Sequence, residues 1–253
     1  RQPEAKARPP VTEPVREPDL EGRRIVVSAG GTAEAIDPVR FIGNRSTGRM
    51  GIALAEAAQA RGARVTLVVG HIDVPVPSAM TVVSAESTAA MRDAVIDAVF
   101  EGRADVLVMA AAVADFRPRH AAETKLTRDA GLTIELEPTE DILAEVGARA
   151  VDLDPRPVIV GFAAETGSLE RAPEKLRRKG ADLLVANDVA EPGSGFGTET
   201  NRVAILGADG SRDDLPLLTK REVADRLLDR VVALLDERGT REQTGPMSME
   251  THA

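Results

Sequence analysis

From Arg23 onward the chain alternates short β-branched runs with stretches in which apolar residues recur every three or four positions. The runs predict strands over 24–28, 64–69, 81–84 and 105–110, and the periodic stretches predict helices over 48–61 and 88–101. Gly62 and Gly102 fall where helix C-caps belong. The second half continues with strands over 132–136, 157–162, 182–186 and 203–207 and helices over 140–150 and 173–179, the latter with Pro173 at its first position. A glycine-rich loop covers 193–197, and Thr219-x-x-Glu222 reads as a capping box. It opens a last helix whose apolar stripe includes Val223, Leu227, Val231 and Leu234. Strands alternating with helices in this way form βαβ units, a parallel sheet covered on both faces.

A chain of 253 residues makes one large domain the default, big enough for a full three-layer core. The expected fold class is therefore α/β, a Rossmann-like three-layer sandwich around a mostly parallel central sheet. Residues 1–22 carry five prolines among charges and no apolar period, the composition of an extended linker. The folded domain is expected over 23–239, and 240–253 reads as a polar, disordered tail. The chain opens on Arg1 rather than Met, so a piece of a longer protein is expected.

With 32 Lys and Arg against 41 Asp and Glu, and five Phe as its only aromatics, the chain lacks the basic, ring-studded surface that nucleic acid rewards. No cysteine is present, which removes disulfides, thiolate nucleophiles and Cys-type zinc sites. His71, His120 and His252 are too scattered for a metal cluster. No membrane span or signal-peptide core is visible, and the expected location is cytoplasmic.

Chemistry concentrates between Ser28 and Gly51. The first strand runs into Gly30-Gly31-Thr32, and a helix opens after Asn44-Arg45-Ser46-Thr47-Gly48. Both ends expose backbone N–H groups, and the helix adds its dipole, a combination that favours phosphate. The stretch is not a dinucleotide fingerprint, because some sixteen residues separate strand from helix and the second strand ends in Gly70 rather than an acid. Nor is it a P-loop, since Gly48 is followed by Arg49-Met50 rather than lysine and a hydroxyl.

The order Gly-Gly-Thr, Asp37-Pro-Val-Arg40, Asn44-x-Ser-Thr-Gly48, Met50-Gly51 resembles the phosphopantothenate-cysteine ligase family of coenzyme A biosynthesis, and the likeness covers about 23–238. On its own Asn44 is a turn or cap residue. The resemblance makes it the catalytic group that positions the substrate carboxylate and supports the acyl intermediate, with Arg40 as a second substrate-binding residue. Gly30, Gly31, Ser46 and Gly48 are expected at the nucleotide. The string Ala110-Ala111-Ala112-Val113-Ala114-Asp115 follows a strand ending near Met109. By resemblance, the backbone at Met109, Ala110 and Ala111 reads the base, and Asp115 serves the ribose or a hydrated metal.

Lys125 aligns with the first lysine of a mobile flap whose later lysines are Thr127 and Arg128 here. The resemblance makes it the second catalytic residue, able to offset charge growing in a transition state. Glu140, Asp141, Ile142 and Leu143 match a nucleotide-contacting helix start, although Thr139-Glu140 replaces the family's Asn-Pro; Thr139 otherwise suits an N-cap. Phe162 ends a strand beside small residues and is expected to pack on the base. Lys175 and Lys179, spaced i, i+4 on one helical face, read by themselves as a solvated basic face; the resemblance makes them the pair that holds a triphosphate.

The resemblance implies a ligase that joins 4′-phosphopantothenate to L-cysteine, with CTP as co-substrate and Mg²⁺ carried mainly on the triphosphate. It further implies a homodimer and fusion to an N-terminal FMN-dependent decarboxylase domain; no flavin is expected in the present chain. Two other readings share the fold class, an NAD-dependent oxidoreductase and a nucleotide-binding regulatory module without chemistry. Tight NADH binding marks the first, and failure to release pyrophosphate marks the second.

Overall fold

A computed structural model describes residues 18–128, 131–191, 193–195 and 197–243. Eight strands form the central sheet: β1 (Arg24–Ala29), β2 (Arg64–Val69), β3 (Thr81–Ser84), β4 (Val106–Met109), β5 (Val158–Glu165), β6 (Leu183–Asp188), β7 (Ala204–Gly207) and β8 (Arg212–Asp214). Their order across the sheet is β8-β7-β6-β5-β4-β1-β2-β3. The pairs from β3 through to β6 are parallel, while β6–β7 and β7–β8 are antiparallel. The helices are α1 (Arg49–Ala60), α2 (Thr88–Ile96), α3 (Ile142–Arg149), α4 (Ala172–Arg178) and α5 (Lys220–Gln243).

The layering follows from strand alternation. Ile25, Val27 and Ala29 of β1 pack with α1 and α5, whereas Val26 packs on the other face with α2, α3 and α4. A strand buried on both faces is apolar along its buried length, which is why Ile25–Val27 of β1 and all of β4 read as unbroken runs. Strand order reverses between β1 and β4, so the connections after them leave in opposite directions. A crevice opens outside their carboxyl ends.

The expected strand over 132–136 does not join the sheet. Leu136–Pro138 instead pairs antiparallel with Phe116–Pro118 in a separate ribbon, and Leu132 and Leu136 stay exposed. The place beside β4 is taken by β5, whose Val158–Gly161 is buried on both faces. A second ribbon pairs Ala33–Ala35 with Phe41–Gly43. Strand β8 has no apolar signal because all three of its residues are exposed on the sheet's edge, where charge blocks further pairing.

Local signals met mixed outcomes. Gly62 takes the left-handed conformation (φ +90°) expected after a helix end, but at the end of α2, prolonged by a π-turn over Asp97–Glu101, that conformation falls on Arg103. The capping box forms as expected: Glu222 N donates to Thr219 Oγ1 (3.2 Å) and Thr219 N to Glu222 Oε2 (2.8 Å). Helix α5 continues past Gly239 to Gln243, four residues into the span expected to be tail. At the other end, residues 18–22 already belong to the folded body. Leu20 is fully buried, and the Arg61 guanidinium is held by Asp19 (2.7 Å from Nε) and Asp229 (2.9 Å from Nη1). The rest of the expected linker and tail, 1–17 and 244–253, lies outside the described residues. Among the described residues no helix is long and apolar enough to cross a membrane.

Candidate active site

The crevice at the β1/β4 switch point is a cavity of about 640 Å³. One wall is the start of α1. Gly48 takes φ +77° to turn the chain into the helix, no side chain caps it, and the first turn holds no acidic residue. The first-turn N–H groups are therefore available to an anion in the cavity that Gly48, Arg49, Met50 and Gly51 line. Gly51 lets this end lie against the sheet, since a Cβ there would sit 2.5 Å from Ala29 Cβ.

The floor is the strip after β4. Met109, Ala110 and Ala111 line it, and Ser28 fixes its start by accepting from Ala111 N (3.1 Å). Asn44 enters from the wall and donates from Nδ2 to Val113 O (2.9 Å), which ties the α1 entry loop to the floor. Ser46 and Asp115 also line the cavity, and Thr139 Oγ1 donates to Ala114 O rather than capping α3. The cap is Asp141, which accepts from Ala144 N (3.1 Å), so the helix starts two residues later than the sequence predicts. Ile142, Leu143 and Phe162 supply an apolar flank, and Glu140 stands 3.7 Å from Arg117 at the rim.

Lys175 and Lys179 reach the same cavity from α4, and each already has a carboxylate partner. Lys175 pairs with Glu165, and Lys179 with Asp141 at 2.9 Å. Six cations line the cavity (Arg45, Arg49, Lys175, Arg178, Lys179 and Lys220) against three carboxylates (Asp115, Glu140 and Asp141), although the whole chain carries a net charge of −9. Such a local inversion of charge favours an anionic ligand. Among the described residues no group of three or more His, Asp or Glu is placed to hold a metal ion, so a cation here would depend on ligand oxygens and water, with Asp115, Glu140 and Asp141 the carboxylates on the lining.

Four expected site residues stand apart from the lining. Gly30 and Gly31 lie behind it: Gly30 has φ +87°, and a Cβ there would come within 2.4 Å of His71 O. They serve the crossing of three strand ends, with Gly31 N donating to His71 O (2.9 Å) and Ala112 N to Gly30 O (2.8 Å). Arg40 turns instead to Asp37, with Nε 2.9 Å from Oδ2, and also donates to Leu126 O. Asp37 in turn accepts from Leu126 N (3.1 Å). Burial pushes the Asp37 carboxyl up, but the N–H groups of Val39, Leu126 and Arg40, together with the Arg40 guanidinium, outweigh it and hold the group at about 2. This clasp anchors the loop that carries Lys125, whose own side chain lies outside the cavity lining.

Arg49, Asn187, Asn201 and Lys220 line the cavity without having been singled out as site residues. Lys220 is only 6% exposed and donates to Gly195 O (2.9 Å) and Thr198 O (2.7 Å). Burial lowers its ammonium to about 8, with Glu199 opposing and Arg49 adding to the fall. One signal for it was legible: a lysine at the first position of a helix, against the dipole, directly after a capping Thr.

The family model of the DNA/pantothenate metabolism flavoprotein C-terminal domain matches residues 20–235. The chain belongs to this family. Among its members, the Coenzyme A biosynthesis bifunctional protein CoaBC of Mycobacterium tuberculosis is 48% identical over 227 residues, which cover 86% of this chain and 54% of that protein. That of Bacillus subtilis is 44% identical over 225 residues, covering 88% and 54%. The chain thus spans about half the length of these relatives. A crystal structure of the C-terminal domain of CoaBC shares 39% identity at a TM-score of 0.73, covering 87% of this chain and 100% of that one. A Streptococcus pneumoniae DNA/pantothenate metabolism flavoprotein, 23% identical with a TM-score of 0.71, shares the fold.

Proposed function

We propose that this domain is a ligase that joins 4′-phosphopantothenate to L-cysteine at the expense of CTP. The observation that carries the reading is the single crevice that gathers an uncapped helix start, a strip of small residues with open backbone, and the Lys175–Lys179 pair. Membership of the family supports it, as does the naming of relatives for coenzyme A biosynthesis.

In the first step a carboxylate oxygen of phosphopantothenate attacks the α-phosphorus of CTP, forming an acyl-cytidylate and releasing pyrophosphate. In the second the cysteine amine attacks the acyl carbon, CMP leaves, and the ammonium proton passes to solvent. Chemistry of this type depends on positioning and charge compensation more than on an acid-base pair. Met109 to Ala111 present backbone groups to the cytosine, Phe162 and Leu143 flank it, and Asp115 faces the ribose. Lys175 and Lys179 exchange their carboxylate partners for phosphate oxygens. Asn44 has a second amide N–H beyond the one given to Val113 O, suited to an acyl oxyanion. Lys125 approaches the α-phosphate when its loop closes, and Arg40, by holding Leu126, sets where that loop starts. Mg²⁺, held by the triphosphate and Asp115, would supply further neutralisation of phosphate charge.

The domain acts in the cytoplasm as a homodimer, fused to an FMN-dependent decarboxylase domain. Exposed Phe41, Phe116 and Leu136 on the two neighbouring ribbons offer an apolar face for self-association. The deciding experiment measures pyrophosphate release with phosphopantothenate and each of the four nucleoside triphosphates, then product formation on adding cysteine. CTP with Mg²⁺ should support turnover far better than ATP. Equal kcat/KM for the two nucleotides would refute the CTP assignment, and no release with any of them would refute the ligase.

A further inference from the structure

Lys220 is a buried cation without an ion pair among the described residues; Glu199 acts on it only from beyond contact. Its ammonium lies against two backbone carbonyls, yet among the described residues no carboxylate comes within ion-pair distance of it. A desolvated charge left in this state is costly, and ordinary cores pair it or dispense with it. Arg49 stands close by on the wall of the same cavity; it pairs with Glu199, but its buried Nε has no partner. Asn201 adds to the corner, its Oδ1 accepting from Ser194 Oγ (2.6 Å) and Asn187 Nδ2 (3.4 Å).

We propose that Lys220 and Arg49 form a second phosphate subsite, which takes the distal phosphates of the nucleotide and the pyrophosphate released from it. This rests on the ligase reading for the identity of the anion. Lys175 and Lys179 come from α4 on one face of the sheet, whereas Arg49 and Lys220 come from α1 and α5 on the other. A phosphate chain leaving the strand ends is thereby bracketed by two cation pairs, and the doubly charged end of such a chain supplies the contact counter-ion that Lys220 does not find among the described carboxylates. Glu199, which pairs with Arg49, is 78% exposed, so it is the group that gives way. The carbonyls of Gly195 and Thr198 aim the ammonium, which makes the glycine-rich loop a support for the subsite rather than a contact of its own.

Calorimetric titration of inorganic pyrophosphate and of CMP, each with Mg²⁺, into the wild type, K220M and K220R tests this. K220M should weaken pyrophosphate about tenfold or more while CMP, which lacks the distal phosphates, stays within twofold; K220R should recover most of the loss. Unchanged pyrophosphate affinity overturns the proposal, and so does an equal loss for both ligands, which would make Lys220 a clasp for the loop alone. Where K220M does not fold, R49Q must reproduce the selective loss, and the same two outcomes overturn it. Catalysis is read separately on the wild type. Pyrophosphate release from CTP without selectivity in K220M removes the subsite and leaves the ligase, whereas selective loss in a protein that does not turn over CTP does the reverse.

Discussion

Replacing Lys175 should be far more damaging to nucleotide binding than replacing Lys179, although the two lie one helical turn apart. Each removes one charge-assisted hydrogen bond to phosphate, worth about 1.5–3 kcal/mol, or roughly 10- to 150-fold in KM. The difference lies in the carboxylate left behind. Glu165, at 14% side-chain exposure, loses the one cation it pairs with among the described residues and stays beside the phosphate seat, whereas Asp141 is 44% exposed and also accepts from Ala144 N as the cap of α3. A carboxylate about 5 Å from a phosphate repels it by roughly 2–3 kcal/mol at an effective dielectric of about 20–40. Taking the low end of both effects, Lys175→Ala costs about 3.5 kcal/mol, roughly 400-fold in KM for CTP, against roughly 10- to 150-fold for Lys179→Ala. Adding Glu165→Gln to Lys175→Ala should recover about 2 kcal/mol, near thirty-fold. Steady-state KM with direct CTP titration of the four proteins is the assay. Equal losses at the two lysines, or no recovery in the double variant, would show that Glu165 does not compete for the phosphate seat.

The two half-reactions should separate by variant: Asn44→Asp, unable to donate to an oxyanion, should accumulate acyl-cytidylate in rapid-quench experiments, while Lys125→Gln should slow its formation. Equal intermediate in both variants contradicts that division. Removing the knot at Arg61, 2% exposed, leaves behind Asp19 and Asp229, which at 40% and 41% exposure already touch water, so Arg61→Ala should cost near the low end for a broken buried pair, about 3 kcal/mol, a fall in Tm of roughly 6–12 °C. A loss under about 1 kcal/mol in urea unfolding would place the knot outside the cooperative core. Asp37, held at about 2 against an ordinary 3.8, favours the folded loop only while ionised, so its contribution is complete above about pH 4 and disappears as pH falls to about 2. Hydrogen exchange at the Leu126 amide should accelerate over that window in the wild type and be fast throughout in Asp37→Asn; a carbon-detected Asp37 midpoint near 3.8 would contradict the clasp.

Where the sequence was legible, burial on both faces was the reason. β1, β4, β5 and β6 are apolar runs because a central parallel strand has no solvent side, and the helices between them keep their period because each covers one face. The ribbons were not legible, since Leu132, Ile134 and Leu136 alternate like a half-buried strand but the neighbouring sheet position was already filled. Motif spacing brought Asn44, the 109–115 strip, Glu140 to Leu143, Phe162 and the two lysines into one cavity. It missed Lys220, whose partners are backbone carbonyls 22 and 25 residues away that leave no trace in side-chain identity. The family resemblance also put Arg40 among the substrate-binding residues. The anion that Arg40 meets is Asp37, three residues before it.

The Arg61 knot has a mechanical meaning. The guanidinium sits at the C-terminal end of α1, about 18 Å along the helix axis from the end that faces the crevice. Tension on the chain before residue 18 passes through Asp19 and Arg61 into α1 and, through Asp229, into α5, the two longest helices of the fold, before it can reach β1. A pull on that stretch of chain therefore meets the base of the domain, across two helices at once, at the end of α1 opposite the crevice.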